Sequence, residues 1–139
     1  MDRQHYIDFL LDHYENPRNR GKLENADVTT SGGNPGCGDI VTMHVAIKDG
    51  VLDKVRFEGE GCTISQAGAS IVAESFEGRP LAEVEEMGFE EIVETMGRQV
   101  VTSRLRCATV ALGTLKAAVE EYRKHQIRSG AATEKRPGA

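Results

Sequence analysis

The sequence has no tryptophan, and its aromatic content stops at four Phe and three Tyr. It contains no apolar run approaching the ~20 residues needed to cross a bilayer. The amino-terminal stretch MDRQHYIDFLLDHYENP carries charges throughout its apolar part, unlike a signal peptide, so the cytoplasm is the expected location. Basic residues are in short supply: 17 Lys and Arg face 22 Asp and Glu, a formal charge of -5. That balance argues against nucleic acid as a partner and leaves a protein or a metal as the expected ligand. Cysteines number three, and an odd count without a secretion signal argues against a disulfide framework, so the thiols are expected to be reduced. No two of them form the CxxC pair of zinc ribbons or thioredoxin-like sites. The chain also lacks a phosphate-cradling glycine loop, a nucleophile elbow and any histidine placed by a recognised motif to act as a base.

What is there describes a soluble globular protein: 139 residues, 39% hydrophobic and 28% charged, enough for one core without disulfides or a metal to hold it. One domain over residues 1–128 is expected. The remaining stretch, 129–139, has no apolar pattern and should be disordered.

Apolar residues at Tyr6, Ile7, Leu10, Leu11 and Tyr14 predict a helix over residues 3–15, stopped by Pro17. Val41, Met43, Val45 and Ile47 alternate with more polar residues, the period of a half-buried strand. Asp49-Gly50 supplies a hairpin turn, because both residues tolerate positive φ, and a return strand follows over residues 51–58 with Val55 and Phe57 inward. Residues 26–31 are a candidate third strand. Gly59 and Gly61 precede a helix with Ile64, Ala67, Ile71 and Val72 on one face, ended at Gly78. Pro80 suits the first turn of the next helical stretch, which divides near Gly88. The stretch CATVALGTLKAAVEEYRKH is the best helix pattern in the chain, with Cys107, Ala111, Leu115, Ala118 and Tyr122 along one stripe. Strands first and helices after imply an α+β fold, one antiparallel sheet against a helical layer.

The three cysteines fall at junctions: Cys37 before the first long strand, Cys62 and Cys107 at helix starts. Free N–H groups at a helix start favour thiolate, and Arg104 and Arg106 add positive charge beside Cys107. Cys37 and Asp39, two apart on extended backbone, point the same way, with Gly36 and Gly38 leaving room for an inorganic group. Three thiolates and a carboxylate make four ligands, as tetrahedral zinc or an iron-sulfur cluster requires. Carboxylate is the harder, poorer match, so such a set should release metal more readily than four cysteines would. His44 is expected to be exposed on the polar face of its strand. His5, His13 and His125 are weak rivals as ligands, and the pairs Glu85-Glu86 and Glu90-Glu91 read as a solvated helix face.

The stretches IDFLLDHYENPRNRGKLENAD, NPGCGDIVTMHVAIKDGVLDKVRFEGEGCTISQAGASIVAE and RLRCATVALGTLKAAVEEY resemble the IscU/SufU family of iron-sulfur cluster assembly scaffolds, which includes the scaffold part of NifU. The likeness runs from about residue 4 to residue 123. It implies a SufE/NifU-like α+β fold with a three-stranded antiparallel sheet and the cysteines gathered at one end. The resemblance also implies the activity: sulfur is accepted as persulfide from a cysteine desulfurase, combined with iron into a transient 2Fe-2S cluster, and passed to apo acceptor proteins. Cys37, Asp39, Cys62 and Cys107 occupy the family's ligand positions, Cys107 that of the persulfide acceptor. Zinc is the alternative occupant of the same site, and a homodimer or oligomer is compatible with the role.

Two departures bear on mechanism. IscU proteins have a histidine before the third cysteine, whereas here that residue is Arg106, a basic residue as in SufU-type members. Yet the insertion usual in SufU-type proteins before the third cysteine is missing. Residues 100–104, VVTSR, also differ from the LPPVK motif that a dedicated chaperone recognises in IscU, keeping only its terminal cation as Arg104. An arginine stays protonated and cannot ligate metal, so the fourth ligand is Asp39 or something external, such as water or a partner's side chain, and Arg106 could instead pair with Asp39 and withdraw it. The reading is a non-enzymatic scaffold. The alternatives are a SufU-like zinc sulfurtransferase relaying sulfur from the desulfurase and, from another class, a structural zinc module for protein binding.

Overall fold

A computed structural model of the chain describes residues 2–34 and 38–131. The first helix, α1 (Arg3–Glu15), is capped by the Asp2 carboxylate, which accepts from the His5 N–H at 2.9 Å. Three strands follow: β1 (Val28–Asn34), β2 (Asp39–Lys48) and β3 (Val51–Glu60), forming an antiparallel meander in the order β1-β2-β3. The expected third strand exists, displaced two to three residues toward the carboxyl end. Asp49 and Gly50 both have positive φ, at 55° and 76°, as the hairpin turn requires.

The hairpin carries a bulge. Ile47 pairs with Leu52 but Ala46 pairs with Lys54, so Asp53 is the extra residue on β3. The bulge lets Leu52 and Val55, three apart, both face inward, which strict alternation forbids. Beyond it the pattern is regular, and Val55, Phe57, Val41, Met43, Val45 and Val28 line the inner face.

Against that face lie α2 (Thr63–Phe76) and α6 (Leu105–Ala131), which also pack on each other, while α1 covers the other side of α2. Helix α2 is buried along most of its length, with Ala67, Ala69, Ile71, Val72, Ala73 and Phe76 in the core. Its small side chains allow close approach to the sheet. Between α2 and α6 run α3 (Leu81–Glu86), α4 (Phe89–Met96) and α5 (Arg98–Val101), divided near Gly88 as the sequence implies. A 3-10 turn, Thr102–Arg104, leads from α5 into α6, so the VVTSR stretch is helical. Helix α6 reaches Ala131, and the rest of the expected disordered tail, 132–139, lies outside the described residues. The fold is α+β, one three-stranded sheet against a helical layer. Among the described residues, no helix is long and apolar enough to cross a membrane.

Candidate metal centre

The β2–β3 register builds the site. Ile40 pairs with Glu60, which brings Asp39, the first residue of β2, beside Gly61 in the turn from β3 into α2. Gly61 has φ +142°, and a Cβ there would overlap the Asp39 carboxylate and lie 2.9 Å from the Ser65 hydroxyl. Only glycine lets the carboxylate reach the start of α2. Cys62 is the N-cap of that helix, but its side chain makes no cap hydrogen bond. Instead the Cys62 N–H donates to Asp39 Oδ1 at 2.7 Å, and the Ser65 hydroxyl lies 3.2 Å from the same oxygen. The other oxygen, Oδ2, accepts from the Cys107 thiol at 2.8 Å and faces the Cys62 thiol at 3.9 Å.

Asp39, Cys62 and Cys107 thus come from a strand start, a helix cap and the first turn of a second helix, with ligand atoms all within 4.8 Å of one another. Two thiols and one carboxylate form a donor set that suits zinc or ferrous iron. Cys37, the fourth expected ligand, lies outside the described residues. The chain places it two positions before Asp39.

Asp39 is 0% exposed. Burial opposes its ionisation, but hydrogen bonds from the Cys107 thiol, the Cys62 N–H, the Ser65 hydroxyl and the Cys62 thiol outweigh it. They hold its carboxyl below the usual range. The amino end of α2 adds favourable partial positive charge. Cys107 behaves otherwise than its position at a helix start implies. It is 2% exposed, and burial, followed by the hydrogen bonds to Asp39 and Cys62, pushes its thiol up to about 12. Desolvation overrides the helix end, so without a metal Cys107 is a protonated, core-packed thiol that donates to Asp39. A bound cation would displace that proton and turn donor into ligand.

Arg106 is exposed in the first turn of α6, and the hydrogen bonds to the Asp39 side chain come from Cys62, Ser65 and Cys107. Among the described residues, Arg106 contributes none of the hydrogen bonds to the Asp39 carboxylate, so the alternative of an Arg106–Asp39 pair is not formed. Arg104 is likewise exposed, on the 3-10 turn. His44 departs from the expectation: it is 8% exposed, bonded to the Thr29 hydroxyl at 3.2 Å and to the Glu58 carboxylate at 2.9 Å. These are its direct cross-strand or near neighbours in the sheet, and they shield it from solvent. His13 is buried against the Ser70 hydroxyl at 2.8 Å, remote from the cysteines in the α1–α2 interface. Glu85 is paired, accepting two hydrogen bonds from Arg123 at 2.7 and 3.0 Å, and Glu90 pairs with Arg98. Ser65 and Gln66 lie in the ISQA stretch after Cys62, which resembles SufU-type members, but the sequence pattern did not assign them to the site. The available signal was a hydroxyl three residues after the N-cap, close enough to reach back to the helix start.

Residues 5–129 match the family model of the NifU-like N terminal domain. The iron-sulfur cluster assembly scaffold protein IscU of Azotobacter vinelandii is 35% identical, covering 87% of this chain and 95% of that protein. IscU of Escherichia coli K12 is 31% identical over 85% of this chain and 94% of its own. Among solved structures, a candidate iron-sulfur cluster assembly scaffold for the SUF system, FiSufU from Fervidobacterium islandicum AW-1, superposes with a TM-score of 0.69. It is 27% identical and covers 80% of this chain and 93% of that one. The amino-terminal part of a NifU-like protein from Brucella abortus superposes with a TM-score of 0.73 at 17% identity, covering 86% of this chain and 98% of that one, a likeness of fold. With one family model spanning nearly all of the ordered elements and IscU relatives matching over most of their length, this chain belongs to the NifU-like N-terminal domain family.

Proposed function

We propose that the chain is an iron-sulfur cluster assembly scaffold acting in the cytoplasm, with Cys37, Asp39, Cys62 and Cys107 holding a transient 2Fe-2S cluster as cargo. The observation that carries this reading is the convergence of Asp39, Cys62 and Cys107 from three separate elements onto one point, with Cys37 two residues before Asp39 in the sequence. In the set of four, ferrous iron or zinc meets three soft thiolates and one hard carboxylate, which bind metal yet give it up more readily than four thiolates.

Sulfur arrives from a cysteine desulfurase. The Cys107 sulfur attacks the outer sulfur of the desulfurase persulfide; a new S–S bond forms at Cys107 Sγ, the old one breaks, and the proton held by the Cys107 thiol leaves with the desulfurase cysteine as its thiol. Two electrons from an external electron-transfer protein then cleave the Cys107 persulfide S–S bond, releasing the transferred sulfur as sulfide and returning Cys107 as thiolate. Arg104 and Arg106, exposed beside Cys107, modulate the approach of the anionic persulfide. Apo acceptor proteins receive the cluster.

Arg106 and the SUF-system neighbour favour a second reading, a zinc-holding relay that passes sulfur on without building a cluster. Anaerobic reconstitution with ferrous iron and sulfide separates the two. A visible-absorbing 2Fe-2S chromophore, with matching iron and acid-labile sulfide, is the expected result. Zinc that resists exchange while stimulating desulfurase turnover, with no chromophore, overturns the scaffold in favour of the relay.

A further inference from the structure

The two oxygens of Asp39 have different surroundings. Oδ1 is tied to the protein by the Cys62 N–H and the Ser65 hydroxyl, at 2.7 and 3.2 Å, whereas Oδ2 faces the two thiols. Ser65 has a single proton and two acceptors in reach, Asp39 Oδ1 and the Cys62 carbonyl at 3.0 Å. That carbonyl already accepts the Gln66 N–H at 3.1 Å. The Gln66 side-chain amide donates to Ser65 Oγ at 3.1 Å, occupying a lone pair and turning the serine proton outward toward its acceptors.

A separate observation concerns Gln66 itself. The side chain is 5% exposed, and its Oε1 is buried with no hydrogen-bond partner among the described residues. An unmade buried hydrogen bond destabilises a fold, so stability alone does not explain an amide here. Broken local rules of this kind concentrate at functional sites. Among the described residues, the side-chain group within hydrogen-bonding distance of the amide is the serine that holds Asp39.

We infer that Ser65, oriented by Gln66, is a positioning residue that fixes Asp39 Oδ1, so that Oδ2 alone is presented to a metal shared with Cys62 and Cys107. The inference rests on the reading of Asp39 as a ligand. Hydrogen-bonded outer partners of metal ligands typically change affinity by about 10–100-fold when removed.

The test is zinc competition against a chromophoric chelator on the full chain, with Co2+ spectra recorded in parallel. The proteins are wild type, Asp39→Ala, Ser65→Ala, Gln66→Leu and the Asp39→Ala/Ser65→Ala double variant, each checked for folding by far-ultraviolet circular dichroism. Ser65→Ala is expected to weaken zinc about tenfold and Gln66→Leu by a few-fold. The double variant should match Asp39→Ala alone, because Ser65 acts through the carboxylate. The cobalt d–d envelope of Ser65→Ala should move in the direction produced by Asp39→Ala, a change that a purely structural role would not produce. An unchanged envelope, or an equal loss of affinity in both backgrounds, overturns the positioning role while leaving Asp39 a ligand. If Asp39→Ala itself leaves zinc affinity unaltered, the ligand reading falls and this inference falls with it. If Ser65→Ala does not fold, Gln66→Leu decides: with the hydroxyl in place, an unchanged affinity and spectrum reject the arrangement.

Discussion

The two ends of α2 each hold a carboxylate against its own burial, and they do so by opposite means. At the carboxyl end Glu77 is the helix C-cap, where the partial negative charge of the helix disfavours an anion. Its neighbours answer with a full cation. Arg56 Nη1 donates at 2.8 Å, Asn19 Nδ2 at 2.7 Å and the Val55 N–H at 3.3 Å. Burial raises the Glu77 carboxyl, and these donors, Arg56 foremost, bring it below the ordinary range. At the amino end Asp39 has the favourable helix pole but no ion pair among the described residues, only N–H, hydroxyl and thiol donors. One end is complete in the folded chain. The other has two thiols facing the carboxylate and no cation among the described residues, and a metal ion bound there would bring the positive charge it lacks.

The largest expected effect breaks the amino end alone. Cys107→Ser should lower zinc affinity about 100-fold or more, beyond the loss of an outer partner, whereas Glu77→Ala should leave it unchanged. Chelator competition on both variants checks this, and a Glu77→Ala that weakened zinc as strongly would dissolve the distinction.

Next in size is the stability of the carboxyl end. Glu77→Ala removes the acceptor for Arg56, Asn19 and the Val55 N–H, and should cost about 2 kcal/mol in urea unfolding at neutral pH. The sign with pH follows from the lowered carboxyl. The contribution is fully present above the unfolded value of about 4.3 and is lost as pH falls through the lower folded value. The gap between wild type and Glu77→Ala should therefore narrow in acid; a gap that widened there would contradict the assignment.

The smallest effect sharpens the comparison at two glycines. Gly78 has φ +89° and open space where a Cβ would go, so Gly78→Ala should cost about 1 kcal/mol of backbone strain and nothing in zinc affinity. Gly61→Ala adds a collision with Asp39 and should lower both. Equal zinc affinity in the two variants would show that the approach of the carboxylate to α2 is dispensable.

Much of this was legible along the chain. Alternation over Val41–Ile47 and the Asp49-Gly50 turn fix the hairpin, and apolar spacing with Gly78, Pro80 and Gly88 places the helices, because these signals are local to the backbone they describe. The bulge at Asp53 was not legible, since it appears only when two strands are aligned. His44 sits on the polar side of its strand as alternation requires, yet Thr29 and Glu58 bury it across the sheet. The same holds for Ser65, whose hydroxyl reaches Asp39 on β2.

The sequence by itself determined the elements, their order and the three cysteines with Asp39 as the donors worth watching, because residue type and spacing act over a few positions. Only the tertiary structure decided that Asp39 meets Cys62 and Cys107 through the Ile40–Glu60 register. It alone made the Cys107 thiol a buried proton donor and left Arg106 outside the Asp39 network. The physical reason is that proximity and dielectric are set by register and packing between distant segments, and no local pattern carries either.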